Sequence, residues 1–173
     1  MYKEQIEAYF SDKKQLLVDT ASRLVSIDSV EGEPAPGAPF GPGPAAALEE
    51  ALSIARQWGL TAQNHEGYVG TVDLNGQSDA LHLLCHLDVV APGEGWTVTH
   101  PYSPKVEDGM IFGRGTDDDK GPAAACLLAM KAVKDLGVPL KSNCRLILGT
   151  NEESGSGDIA WYFARNPYAP ATF

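Results

Sequence analysis

The apolar residues Leu16, Leu17, Ala21, Leu24 and Val25 fall on one face of a helical period and predict a first helix over 13–26 that packs on a sheet. A second run with the same period, Ala47, Leu48, Ala51, Leu52, Ala55 and Trp58, predicts a helix that opens at Pro44 and is stopped by Gly59. Between them, residues 31–44 hold five prolines and four glycines, which fix or loosen φ too often for any regular element. This segment reads as a loop inside a domain, because the preceding thirty residues are too few for a core of their own. Residues 60–74 then predict two short strands turning at His65-Glu66-Gly67. The turn Asn75-Gly76 follows, and after it a strand over 80–85. A long loop of Gly, Pro and aromatic residues covers 90–110. Beyond it come a helix over 122–136 carrying Ala125, Leu128, Ala129 and Val133 on one face and stopped by Gly137, a strand over 144–148 and a helix over 158–164. Strands alternating with helices predict an α/β fold, a mixed sheet flanked by helices.

Composition narrows the partners. A chain of 173 residues suffices for one well-buried core, and 13 Lys and Arg against 23 Asp and Glu give a net charge of −10. That charge disfavours nucleic acid and anionic membrane surfaces, so a small molecule or peptide is the expected partner. The charged start Met1-Tyr2-Lys3-Glu4-Gln5-Ile6-Glu7 is unlike a signal peptide, and no run approaches the roughly 18 apolar residues of a membrane span. Cytoplasmic location is the expectation; the oligomeric state is not fixed by these features. Cys85, Cys126 and Cys144 lie in or beside apolar segments without the close spacing of a thiolate metal site, and read as buried free thiols.

Three acid-rich segments carry the candidate chemistry. His86 and Asp88 emerge at the end of the run Leu81-His82-Leu83-Leu84-Cys85, where active groups of open α/β sheets collect. Two residues apart in an extended chain they share a side, so Asp88 can fix the tautomer of a metal-binding His86. His82, about 13 Å from His86 at strand rise, is assigned to the core, and His65 and His100 to ordinary loop positions. Asp117, Asp118 and Asp119 crowd like charges before a helix, which a divalent cation would relieve. Glu152 and Glu153 follow the strand 145–148, and their diverging side chains can divide metal binding from proton transfer. Taken singly, each segment also fits a plain alternative: a surface turn, a helix-capping cluster or a solvated acidic loop. Three together, each at a strand end or helix start, favour one metal site. An EF-hand is excluded because Gly121 comes fifth and is followed by Pro122, and a Walker loop because the Gly113-Arg114-Gly115 turn lacks the Gly-Lys-Ser/Thr ending.

The segments His86-Leu87-Asp88-Val89-Val90, Gly113-Arg114-Gly115-Thr116-Asp117-Asp118-Asp119-Lys120-Gly121-Pro122 and Gly149-Thr150-Asn151-Glu152-Glu153-Ser154-Gly155, with Trp96 and Pro101-Tyr102 between, resemble the M20 family of cocatalytic metallopeptidases and amidohydrolases. The wording Asp-Asp-Lys-Gly-Pro is most similar to the PepV-type dipeptidases. Ala91 departs from the proline that many relatives have there, and Asp117 lengthens the acidic run by one.

The resemblance implies a zinc-peptidase-like catalytic domain. It implies two divalent ions, Zn²⁺ foremost with Mn²⁺ or Co²⁺ as alternatives. Their ligands would be His86 on one ion, Asp118 bridging both and Glu153 on the other. Asp88 would orient His86 and Glu152 would act as general base in cleaving the peptide bond of a dipeptide. Deacylation of N-acyl amino acids, or a relative that binds without catalysis, are the alternatives. The family also requires a further acidic ligand about two dozen residues after Glu153, a distant histidine and an inserted lid domain. Residues 1–173 are therefore expected to be the N-terminal portion of the catalytic domain, binding metal weakly and turning over negligibly by themselves.

Overall fold

The computed structural model describes residues 2–167. Its centre is a four-stranded sheet in the order β1-β2-β6-β3. The strands are β1 (Thr61–His65), β2 (Val69–Asp73), β3 (Asp79–His86) and β6 (Asn143–Gly149). β1 with β2 and β2 with β6 run antiparallel; β3 and β6 run parallel, with His86 opposite Gly149 at their shared C-terminal end. That one parallel pair brings two distant stretches of sequence to the same edge. β4 (Lys105–Glu107), inside the segment 90–110 expected to be a plain loop, and β5 (Met110–Phe112), at its end, form a separate hairpin. Three-residue strands are too short for periodicity to reveal; the turn Asp108-Gly109, both at positive φ, was the available signal.

Helices cover both faces. α2 (Lys14–Val25), α3 (Pro42–Gln57) and α4 (Lys120–Asp135) enclose the main core, where Leu24, Leu48, Leu52, Leu127, Leu146 and Leu148 are all buried. α5 (Gly157–Arg165) covers the opposite face through Tyr162 against Val69 and Ile147. β2 is consequently buried on both sides, Thr71 included. α3 begins two residues before the expected Pro44, at Pro42, and the Pro/Gly segment ahead of it is a loop with a single bridge between Ala35 and Ala38. α1 (Tyr2–Phe10) was not foreseen: it buries none of its residues and is tied to α4 by Tyr9 Oη donating to Asp135 Oδ2 at 2.7 Å.

The face of α4 differs from the sequence reading. Ala123, Ala124, Leu127 and Met130 point into the core, while Ala125 and Ala129 are exposed. The helix is apolar nearly all round from Ala123 to Met130, so its pattern does not choose a face; the requirement to sit on β3 and β6 does. Glutamate at Ala124 would bury an unpaired charge, whereas at Ala125 it would reach solvent beside Lys13 and Lys14. Ala124→Glu is expected to abolish cooperative urea unfolding, and Ala125→Glu to shift stability by no more than about 0.5 kcal/mol.

Candidate metal centre

His86 is the last residue of β3, and Glu152 and Glu153 lie in a 3₁₀ turn (Glu152–Ser154) just beyond β6. Because β3 and β6 are parallel neighbours, these groups leave the sheet side by side. Asp118 reaches the same place from the segment that starts α4, across a cis Asp118–Asp119 peptide. One ligand atom from each of His86, Asp118 and Glu153 lies within 4.8 Å of the others. His86 Nε2 is 2.9 Å from Asp118 Oδ1 and 3.9 Å from Glu152 Oε2. His86 is buried and the Asp118 carboxylate is exposed, so the cluster opens to solvent on one side only. His86, Asp118 and Glu152 line a cavity of about 400 Å³ together with Cys85, Asp119 and Asp158. A larger cavity, about 660 Å³, lies at the far end of the sheet, where Arg145 is already paired with Asp73 and Asp79.

Asp88 is the hinge of this geometry. Its two oxygens accept the backbone N–H groups of Glu152 and Glu153, each at 3.1 Å. Its backbone oxygen, 3.1 Å from His86 Nδ1, is nearer to that nitrogen than its carboxylate at 3.5 Å. The imidazole is thus oriented mainly by the Asp88 carbonyl, while the Asp88 carboxylate holds the glutamate turn. Nδ1–H pointing at Asp88 leaves Nε2 as the nitrogen facing Asp118, the tautomer a metal ligand needs.

The pKa shifts follow from these contacts. Burial alone would depress His86, but hydrogen bonds with Asp88 and Asp118 outweigh it and raise it to about 9. Burial would raise Asp88, yet His86 and the two glutamate amides hold it below the usual carboxylate range. The donor set therefore suits a divalent cation, which would take the place of the proton between His86 and Asp118.

Of the three successive aspartates, Asp118 alone joins the cluster. Asp119 turns inward, its Oδ2 accepting the His86 backbone N–H at 3.1 Å, and burial raises its pKa. Two participants escaped sequence reading. Asp158, wholly buried, accepts the amides of Thr150 and Asn151 and so fixes the approach to Glu152; one acidic residue in a helix's first turn gave no distinguishing signal. Lys120, also wholly buried, donates from Nζ to the Ile27 carbonyl at 2.7 Å and is depressed to about 8 by burial. His82 is buried as read, with Nε2 3.2 Å from Asp79 Oδ2. His65 is corrected: it ends β1, half-buried, its Nε2 3.0 Å from Thr71 Oγ1 and its ring edge-on to Tyr162. The cysteines are free, but only Cys85 is buried; Cys126 and Cys144 are partly exposed.

Asp88→Asn would turn an amide N–H₂ against one glutamate N–H, and is expected to cost about 1–3 kcal/mol in urea unfolding. Because the folded His86 pKa, about 9, exceeds its ordinary 6.5, its stabilisation of the metal-free protein is complete below about 6.5 and lost as pH rises through 9. Urea midpoints should fall across that interval, and the fall should be missing in His86→Gln.

A sequence profile described as Peptidase family M20/M25/M40 matches residues 82–170. The Bacillus subtilis (strain 168) protein YtjP, named as a dipeptidase, is 40% identical over 153 residues, covering 87% of this chain and 33% of its own length. A Staphylococcus aureus (strain USA300) protein, likewise named, is 36% identical over 156 residues, covering 89% and 32%. The chain thus spans about a third of the length of these curated relatives. Among solved structures, human carnosine dipeptidase 1 superposes with a TM-score of 0.77 at 23% identity, over 94% of this chain and 37% of that one. The M20 metallo-carboxypeptidase Sso-CP2 of Sulfolobus solfataricus gives 0.68 at 24%, over 90% and 34%. These likenesses establish a shared fold, and with the profile spanning more than half of the residues, the chain belongs to peptidase family M20/M25/M40.

Proposed function

We propose that this chain is the N-terminal portion of the catalytic domain of a PepV-type metallo-dipeptidase. The observation that carries the reading is the convergence of His86, Asp118 and Glu153 at the C-terminal ends of two parallel strands. The dipeptidase names of the relatives support the substrate class, and likeness to the Bacillus subtilis M20 protein YXEP, described as a dinuclear metal binding peptidase, supports a two-ion centre. Leu84, exposed on β3 at the edge of the sheet, fits a surface that further catalytic-domain strands would cover. Free thiols suit a reducing, cytoplasmic setting.

In this reading His86 would hold one ion, Glu153 the other, and Asp118 both. Zn²⁺ fits best, with Mn²⁺ or Co²⁺ as alternatives. Two such ions, when bound, lower the pKa of a water and polarise a carbonyl. The chain's own residues do the rest. Asp88 keeps Nε2 of His86 directed at the centre and sets the position of both glutamates. Glu152, its carboxylate half-exposed at the mouth of the site, takes a proton from the attacking water and delivers it to the leaving amine. The remaining ligands and a lid come from the longer protein.

In the intact protein, Glu152→Ala should keep its metal content and lose about 10²–10⁴-fold in dipeptide hydrolysis; full activity would remove Glu152 from the role of base. Dipeptides and N-acyl amino acids assayed side by side separate the two amide-cleaving readings, and exclusive cleavage of the latter would replace dipeptidase with deacylase. The 173-residue chain itself should bind Zn²⁺ in calorimetry more weakly than the intact protein and show negligible turnover, because fewer ligands compensate the desolvation of Asp118 and Glu153.

A further inference from the structure

Two of the three cysteines meet behind the metal cluster. Cys85 faces the α4 side of the sheet, and its thiol is placed to donate to Cys126, with the sulfurs 3.9 Å apart. The two residues tie together the elements that carry the cluster: His86 directly follows Cys85, and α4, which contains Cys126, directly follows Asp118 and Asp119. Cys85 also lies against the Asp119 carboxylate, which accepts the His86 backbone N–H. Access is available, since Cys85 lines the site cavity and Cys126 is partly exposed.

We infer that Cys85 and Cys126 form a reversible disulfide when the protein meets a hydroperoxide, and that closing it weakens metal binding at His86, Asp118 and Glu153. The metal-binding half rests on the function proposed above; the disulfide itself does not. The Cys126 sulfur, as thiolate, attacks a peroxide oxygen and breaks the O–O bond, giving a sulfenic acid and hydroxide that is protonated to water. The Cys85 sulfur then attacks the sulfenyl sulfur, forming the S–S bond; the expelled hydroxide takes up the remaining thiol proton as a second water. Two thiols are oxidised and one hydroperoxide is reduced. Hydrogen bonding from Cys85 lowers the Cys126 pKa to about 7 against burial and the Asp119 charge, while the same bond and burial push the Cys85 thiol up, so that Cys126 attacks first and Cys85 keeps its proton until the S–S bond forms.

The consequence at the metal cluster is mechanical. A disulfide needs its sulfurs about 2.05 Å apart, so they must draw together by about half of their present separation. The end of β3 and the start of α4 shift against each other, and Cys85 leaves Asp119. Asp119 holds the His86 backbone N–H, and disturbing the contacts that stand behind a metal ligand typically costs about 10–100-fold in affinity.

The test treats the reduced protein with hydrogen peroxide, maps it by mass spectrometry without reductant, and titrates both forms with Mn²⁺. A Cys85–Cys126 linked peptide, lighter by two hydrogens and reversed by dithiothreitol, is expected, with Mn²⁺ affinity at least about tenfold lower in the oxidised form. Cys126→Ser should give no link and a peroxide-insensitive affinity, while Cys144→Ser should behave as wild type. Linkage through Cys144, or sulfonic acids without a link, would overturn the pairing. A Cys85–Cys126 link with unchanged Mn²⁺ affinity would overturn the coupling. If the reduced protein binds no Mn²⁺, the metal reading fails, while the mapped link still decides the disulfide.

Discussion

The site depends on one buried carboxylate. Asp88 is removed from water at the exit of β3, a placement that costs several kcal/mol unless its oxygens are satisfied. It finds its partners in the amides of Glu152 and Glu153, which only the neighbouring strand β6 can bring there. A free-energy requirement of one side chain thus fixes where both glutamates stand. The same residue's carbonyl orients His86, so a single position couples three of the five groups assigned to the chemistry.

That coupling is backed from behind. Asp158 holds Thr150 and Asn151 by their amides, so four successive amides, from Thr150 to Glu153, end on two buried aspartates. Ser29 donates to the Leu87 carbonyl, and Lys120 fastens the Ile27 carbonyl beneath the same strand end. A metal centre needs its ligands held to a fraction of an ångström, and these contacts supply that rigidity without using ligand atoms. Gly149 is needed for the same reason: a Cβ there would meet Asp158 Oδ2 at 2.6 Å.

The acidic cluster faces opposing demands. Without a cation, hydrogen bonds with Asp88 and Asp118 and the charges of Asp88 and Asp119 favour a proton on His86; that is why its pKa rises despite burial. A divalent ion serves the same need with twice the charge, so metal binding and proton release are linked by construction. The net negative charge of the chain is, at this one place, gathered into a cluster whose donors suit a cation.

The sequence by itself determined the elements with a strong period and the residues with unambiguous chemistry. The amphipathic α2 and α3, the β1-β2 turn at Glu66-Gly67 and the acidic segments at strand ends are local features, written in spacing and turn residues. Family-like motif wording made His86, Asp118 and Glu153 candidates before any geometry. Only the tertiary structure decided what depends on contact between distant segments. α4 is apolar on nearly every side, so packing on the sheet chose Ala124 over Ala125. Asp118 and Asp119 are adjacent and chemically identical; one faces the cluster and the other bonds the His86 amide because the chain enters α4 against β3. Asp158 and Lys120 carry no local mark of their burial. The amides that Asp158 accepts lie only seven and eight residues back, but across a turn that no hydrophobic period marks, and the Ile27 carbonyl that Lys120 meets is 93 residues away; neither contact leaves a periodic trace in sequence.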